Sequence, residues 1–499
     1  SKFYIKPFYL CEYAHAMGVG AGELERYVTC FYSAENMMGG CIWEFADHAV
    51  YHDEGEYAYT YGGDHGELKH DSNFCVDGLF FPDREPHSGA LQMKACYRPV
   101  RAKRMNNNTY SFFNHRYFEN AVLAVQYSVL ENGELTENGE FNLDIQPQQS
   151  QEIKLDNISF NSKNNTVIQF EYLDNDFTVA CEEIELSAGK LMFDSKGKSA
   201  PAVQESEKRL FICFDNGSMI FDKNTCNFDS YRIHNRELFN QLPDCDFKGL
   251  GLQFYRAPLD NDMYINKIWE KFRLDKTYVI NSGCTHNVQS DCLKISFKST
   301  VKTAVKAKVA AVQVTYSVYG DGTIKADYTV LSGGRVVMIP RFGVQLELKK
   351  EFDRVKYIGF GPVVNLPDFR EHALTGIYEN TVDSMYENYI MPQESATRCN
   401  TRLAQVTDEN GIGLRFDAVN KPFVFSATPF TPWQCAKAKH REDLTDHTTC
   451  VNLDAEVMGA GSNACGPKPD AKYCLGKLKG KSFSFVMSPV LGRDDSEEK

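Results

Sequence analysis

Residues 7–18 read Pro7-Phe8-Tyr9-Leu10-Cys11-Glu12-Tyr13-Ala14-His15-Ala16-Met17-Gly18. An apolar run that ends in Glu12 and gives way to a polar, glycine-containing turn predicts a short buried strand. A carboxylate on the last residue of such a strand, with a histidine three residues on, stands where parallel α/β folds gather their chemistry. Leu24, Tyr27, Val28 and Phe31 follow at helical spacing. Gly39-Gly40-Cys41-Ile42-Trp43-Glu44-Phe45 then reads as a second buried strand. Strand, helix and strand at this spacing form a βαβ unit, so parallel pairing is expected. A (β/α)₈ barrel needs roughly 250 residues. Residues 1–100 hold only enough βα units for the last quarter of one, and they include a loop-rich segment from Tyr57 to Pro86. The chain is thus expected to open in the middle of an active site.

From about Arg101 the pattern turns all-β. Strand-like runs at Phe118–Leu130 and Asn165–Tyr172, with a turn at Glu131-Asn132-Gly133, predict a small immunoglobulin-like sandwich over 101–195. The polar stretch Ser195–Lys208 reads as a linker. Residues 205–490 read as one large sandwich with almost no helix. Its clearest hairpin sets Val312, Val314, Tyr316 and Val318 against Ile324, Ala326, Tyr328 and Val330 across Gly320-Asp321-Gly322. The charged tail 493–499 is expected to be disordered. The predicted fold class is therefore multidomain: a C-terminal fragment of a TIM barrel, an immunoglobulin-like β-sandwich, and a large all-β supersandwich domain.

The 499 residues carry a net charge of -13, which argues against the basic stripe of a nucleic-acid binder. The sequence has no apolar run long enough to span a membrane. Sixteen cysteines contain no Cys-x-x-Cys pair. Most lie in apolar runs (Cys11, Cys41, Cys75, Cys213) and read as reduced, packed thiols in a cytoplasmic setting.

By position alone, Glu12 suits a nucleophile, a general acid/base or a metal ligand, or a structural carboxylate capping the next helix. His15 suits substrate hydroxyls, a metal, or a structural hydrogen bond. Trp43, on the same expected face as Glu12, suits a stacked sugar ring or a filled core. Glu44 and Asp47 are rival carboxylates, and spacing leaves a Glu12/Glu44 pair open. His15, His48, His65 and Asp64 match no standard metal-ligand spacing.

Together these residues resemble the bacterial β-galactosidases of glycoside hydrolase family 2. Leu10–Gly18 is similar to the family's nucleophile motif. The likeness continues through Gly39–Asp47, Tyr61-Gly62-Gly63-Asp64, Asn73–Leu79 and Pro82–His87 to Lys94 and Tyr97. Far downstream, Arg256-Ala257-Pro258-Leu259-Asp260-Asn261-Asp262 and Pro392-Gln393-Glu394 with Arg398 and Arg402 also fit.

The resemblance implies retaining hydrolysis of terminal β-D-galactosides, with two carboxylates ~5–5.5 Å apart. Glu12 matches the nucleophile and His15 a residue that holds sugar hydroxyls. Trp43 matches the aromatic wall under the galactosyl ring. The Phe74 carbonyl and the Asp77 side chain match part of a sodium site that contacts the sugar's 6-hydroxyl, and Glu44 is then a neighbour in the site, not the acid. The family's acid/base Glu, its magnesium ligands and the remaining sodium ligand fall upstream of residue 1. Sodium and magnesium are the implied cofactors. The implied partners are a galactoside, the N-terminal half of the enzyme and further copies of the chain. On this reading the isolated chain is inactive, and its first hundred residues are unstable without the N-terminal half.

Some positions depart from the pattern. Val19-Gly20 replaces a polar pair common in relatives, Asp77 stands where some have Asn, and Val364 occupies a position usually Glu. Cys465, in Gly461–Pro467, stands where relatives often place the Trp that stacks the leaving-group sugar. Two alternatives remain: a non-catalytic carbohydrate-binding or scaffold segment, and a family 2 glycosidase of another specificity. No Arg or Lys near Glu12 or Trp43 in the sequence suits a glucuronidase.

Overall fold

The structure, a computed structural model, describes residues 6–155, 158–242 and 249–492. The predicted disordered tail 493–499 lies outside the described residues. Two strands, β1 (Phe8–Tyr13) and β2 (Met37–Ile42), run parallel, with Leu10 opposite Gly40 and Tyr13 opposite Ile42. The helix α1 (Leu24–Phe31) connects them, burying Leu24 and Val28 as its periodicity predicts. The Tyr13 ring packs against Tyr27 and Phe31, both at 5.1 Å. Its hydroxyl pairs with that of Tyr97.

Beyond β2 the chain keeps its direction. The Glu44 amide donates to the Asp77 carbonyl and the Asp47 amide to the Phe80 carbonyl, and the Ala46–Phe80 bridge is parallel. Three segments therefore run side by side in one sense. A short antiparallel pair, β3 (Val50–Tyr51) and β4 (Tyr59–Thr60), punctuates the predicted loop region, and α2 (Ser88–Cys96) closes it.

The expectation that β1 is buried does not hold. Phe8, Tyr9, Cys11 and Glu12 are exposed, and only Tyr13 is buried. Among the described residues this sheet has just the two strands, and nothing covers its outer face. Met38 and Phe45 are exposed as well, at 67% and 65%. Parallel strands are normally covered on both faces, so this surface has the composition of an interior. For the same reason Cys11 and Cys41 are exposed rather than packed. Cys213 is exposed too, on the outward side of the alternating strand Arg209–Phe214. The described cysteines are all free thiols.

The rest of the chain is mostly β. A four-stranded sheet (Ala121–Glu131, Glu134–Ile145, Asn165–Asp174, Phe177–Ala188) and a three-stranded sheet (Val100–Arg104, Thr109–Asn114, Ser150–Lys154) share one core around Tyr110, Phe112, Leu123, Phe170 and Tyr172. The turn at Asn132-Gly133 has positive φ at both residues, the geometry of a two-residue hairpin loop. Downstream, sheets of five, five and nine strands contribute to a single large core running from Leu210 to Met487. The expected hairpin is present as Lys308–Val318 against Ile324–Gly333, with Val314 opposite Tyr328 and Tyr316 opposite Ala326. The first strand of this region, Ala202–Glu205, lies inside the stretch that reads as a linker. It is a short, largely exposed edge strand, and its four residues Ala-Val-Gln-Glu are too few to show an alternation inside a polar stretch. Among the described residues no helix is long and apolar enough to cross a membrane.

Candidate active site

The parallel register sets the geometry of the site. β1 delivers Glu12 to its C-terminal end. The pairing then continues past the strands, the Trp43 amide donating to the Tyr13 carbonyl and the Ala16 amide to the Trp43 carbonyl. Glu12, His15 and Trp43 are thereby gathered at one edge. The third parallel segment brings Phe74 and Asp77 beside them. His15 Nε2 lies 3.2 Å from Asp77 Oδ2, and Trp43 Nε1 donates to the same oxygen at 3.2 Å. The His15 and Phe74 rings are 5.2 Å apart. Four of the five predicted site residues thus form one contact cluster. Glu12 is exposed beside it, with Cys465 Sγ 3.9 Å from its Oε1.

The carboxyls near the site are held differently. Burial works to raise the Asp77 carboxyl, but hydrogen bonding and charge from His15, with further bonds from Glu44 and Trp43, outweigh it and hold the group below its ordinary value. Glu44 moves the other way, raised by burial and by its bond to Asp77. Of the two, Asp77 is the carboxyl held toward its charged form. Asp77 Oδ1 and His15 Nδ1 are buried without a hydrogen-bond partner. Asp47 is buried, accepting from the Gly78 amide at 2.8 Å with His87 Nε2 at 3.3 Å, so it builds the loop and stays out of the cluster. Of the other residues weighed for a metal, His48 faces Glu44, His65 pairs with Thr60, and Asp64 accepts from the Tyr61 amide. These sites are separate.

The turn after Glu12 is held from far away in the chain. Gly18 has φ +61°, and a Cβ there would lie 2.2 Å from Gln393 Oε1 and 2.6 Å from Asp260 Oδ2. Val19 donates its amide to Gln393 Oε1 at 3.1 Å. Asn261 Nδ2 reaches the carbonyls of Met17 and Val19 at 3.4 and 3.3 Å. Arg256 grips both oxygens of Asp262 at 3.1 and 2.9 Å, fixing the turn that carries Asp260 and Asn261. Sequence reading marked Arg256–Asp262 and Gln393 as motifs without giving them a role. Their pairing with residues 17–19 has no local signal. Gly18→Ala is expected to destabilise this turn by roughly 1–3 kcal/mol from its left-handed φ alone, before the clash is counted. Thermal unfolding and the rate of proteolysis within 14–22 will measure it.

Comparison with known proteins places this geometry. Residues 1–102 match the family described as glycosyl hydrolases family 2, TIM barrel domain. That match covers the first fifth of the chain. Residues 215–487, more than half of the chain, match the beta galactosidase small chain family. The chain belongs to that family and corresponds to the C-terminal half of a family 2 β-galactosidase. It is 29% identical over 486 residues to a β-galactosidase of Actinobacillus pleuropneumoniae, covering 94% of this chain and 46% of that protein. It is 27% identical over 507 residues to one of Staphylococcus xylosus, covering 97% and 49%. A β-galactosidase of Lactobacillus delbrueckii subsp. bulgaricus is 28% identical over 499 residues, covering 97% and 48%. The chain spans about half the length of the curated relatives it matches.

Proposed function

We propose that the chain carries the nucleophile-bearing half of a retaining β-galactosidase. Residues 1–100 supply the last βα units of a TIM barrel, 101–195 an immunoglobulin-like sandwich, and 205–490 the large sandwich of the small-chain type. The observation that carries the reading is an exposed carboxylate, Glu12, at the C-terminal end of a parallel strand, beside Trp43 of the next.

In this reading a Glu12 oxygen attacks the anomeric carbon as the bond to the leaving oxygen breaks, giving a covalent glycosyl–enzyme that water then hydrolyses. The leaving oxygen takes its proton from an acid on an earlier barrel strand. In this reading Glu44, which lies between Asp77 and His48, does not fill that role. Trp43, 42% exposed, offers a face to the apolar side of the sugar while its Nε1–H is tied to Asp77. His15 is held by Asp77 in turn, which fixes the ring that meets sugar hydroxyls.

The residues present fit part of a sodium site. Asp77 is the more ionised carboxyl of its pair, and its Oδ1 is buried and unpartnered, a hard oxygen donor beside the Phe74 carbonyl. A sodium ion held there would supply an electrostatic anchor for a sugar hydroxyl. The magnesium implied by the family would be held by residues of the preceding barrel strands.

The partner that completes the site is the N-terminal portion of the barrel. The exposed apolar face of β1 and β2 and their unpaired outer edges are what it would cover. A 2-fluoro galactoside trap applied to the complete enzyme, followed by peptide mass spectrometry, tests the assignment. The label is expected on Glu12, and a label on Glu44 or any other residue overturns it.

A further inference from the structure

We infer that Asp260 is a positioning residue that sets two active-site loops at once, the turn after the nucleophile and the loop bearing Phe74 and Asp77. Asp260 Oδ1 accepts from Asn73 Nδ2 at 2.8 Å, one residue before Phe74. Its Oδ2 accepts from Gln393 Nε2 at 2.7 Å, and Gln393 Oε1 accepts from the Val19 amide at 3.1 Å and the Asp260 amide at 3.3 Å. The next residue, Asn261, holds the Met17 and Val19 carbonyls and accepts from the Ala464 amide at 3.2 Å, in the loop that brings Cys465 to Glu12. One turn of the large β region therefore touches all three loops around the nucleophile without touching the cluster itself.

Hydrogen-bond arithmetic makes Asp specific here. Two backbone amides converge on Gln393 Oε1, so its Nε2 must face Asp260. Asp260 is then asked to accept on both oxygens, which a carboxylate does and an amide does not. Asp260→Asn leaves one donor facing another unless Asn73 turns over. Asn73→Asp alone sets two carboxylates against each other. The double exchange Asn73→Asp with Asp260→Asn restores complementarity in reversed order, because the side-chain amide placed at position 260 can donate to the carboxylate placed at position 73.

The inference rests on the galactosidase reading of Glu12, and the experiment keeps the two apart. In the complete enzyme, kcat and KM on a nitrophenyl galactoside are measured for the wild type, both single variants and the exchange. Amide hydrogen exchange of peptides covering 14–22 and 73–78 is followed in the same four proteins. Asp260→Asn is expected to lower kcat about 10-fold and to raise KM, because the loop bearing Phe74 and Asp77 loosens with the nucleophile turn, and Asn73→Asp to lower kcat about 100-fold. The double exchange should return to within about 3-fold of wild type, and both peptides should exchange faster in the single variants only. Losses that simply add in the double variant, or single variants with unaltered loop exchange, overturn the positioning role and leave the galactosidase reading intact. A wild-type enzyme that hydrolyses no galactoside overturns that reading, and the exchange cycle then still decides what Asp260 holds. Should Asp260→Asn fail to fold, recovery of folding in the double exchange supports the pairing and its absence refutes it.

Discussion

Replacing Glu12 by glutamine is expected to lower kcat/KM of the complete enzyme on a nitrophenyl galactoside by on the order of 10⁴–10⁶-fold, the scale seen when a group of a covalent catalytic apparatus is removed. The substitution conserves size and removes only the charge and nucleophilicity of one oxygen. Stability should move little, within about 0.5 kcal/mol, because the side chain is exposed and its near neighbour is a thiol at 3.9 Å. A large kinetic loss without a folding loss would separate catalysis from scaffolding. If the variant instead keeps its rate, the carbohydrate-binding or scaffold reading prevails. Glu44→Gln is the informative companion. It should disturb Asp77 and weaken sugar binding, but it should not abolish turnover as the loss of Glu12 does.

The second large effect concerns assembly. A polypeptide of residues 1–499 alone is expected to show no measurable galactoside turnover, and supplying the N-terminal barrel portion should restore it. Loss of leaving-group protonation alone is worth about 10²–10⁴-fold. The geometry adds to this. Among the described residues β1 and β2 each present an unpaired edge, and Phe8, Tyr9, Met38 and Phe45 present apolar surface that one partner could cover. Amide exchange across 6–50 should therefore be fast in the polypeptide alone and slow after mixing, while the region 205–490, with its own continuous core, changes little. Strong turnover by residues 1–499 alone would end the half-site account.

Local pattern revealed much of this fold. The order β1, α1, β2 follows from apolar runs and helical spacing, and the Val312–Val330 hairpin from strict alternation. The turn at Asn132-Gly133 follows from residues that tolerate positive φ. The places where pattern failed share one cause. The burial of a strand depends on its neighbours, so the Phe8–Glu12 run looks interior, yet all of it but the half-buried Leu10 stands exposed. The strand Ala202–Glu205 is a four-residue edge set in a polar stretch, and it read as a connection. Glu12, His15 and Trp43 could be picked out because they lie at strand ends, and Phe74 and Asp77 only by likeness. The grip of Asp260, Asn261 and Gln393 on residues 17–19 joins segments hundreds of positions apart, and nothing periodic announces it.

That grip falls on peptide groups. Asn261 and Gln393 meet the carbonyls and amide of Met17 and Val19, not their side chains. The shape of the nucleophile turn is thus inherited through distant loops of the large β region, whose residues Leu259 and Val364 also bury the Val19 side chain. Chimeras that join one homologue's barrel to another's large β region should keep this junction intact if Gly18, Gly20, the Asp260–Asn261 turn and Gln393 are retained.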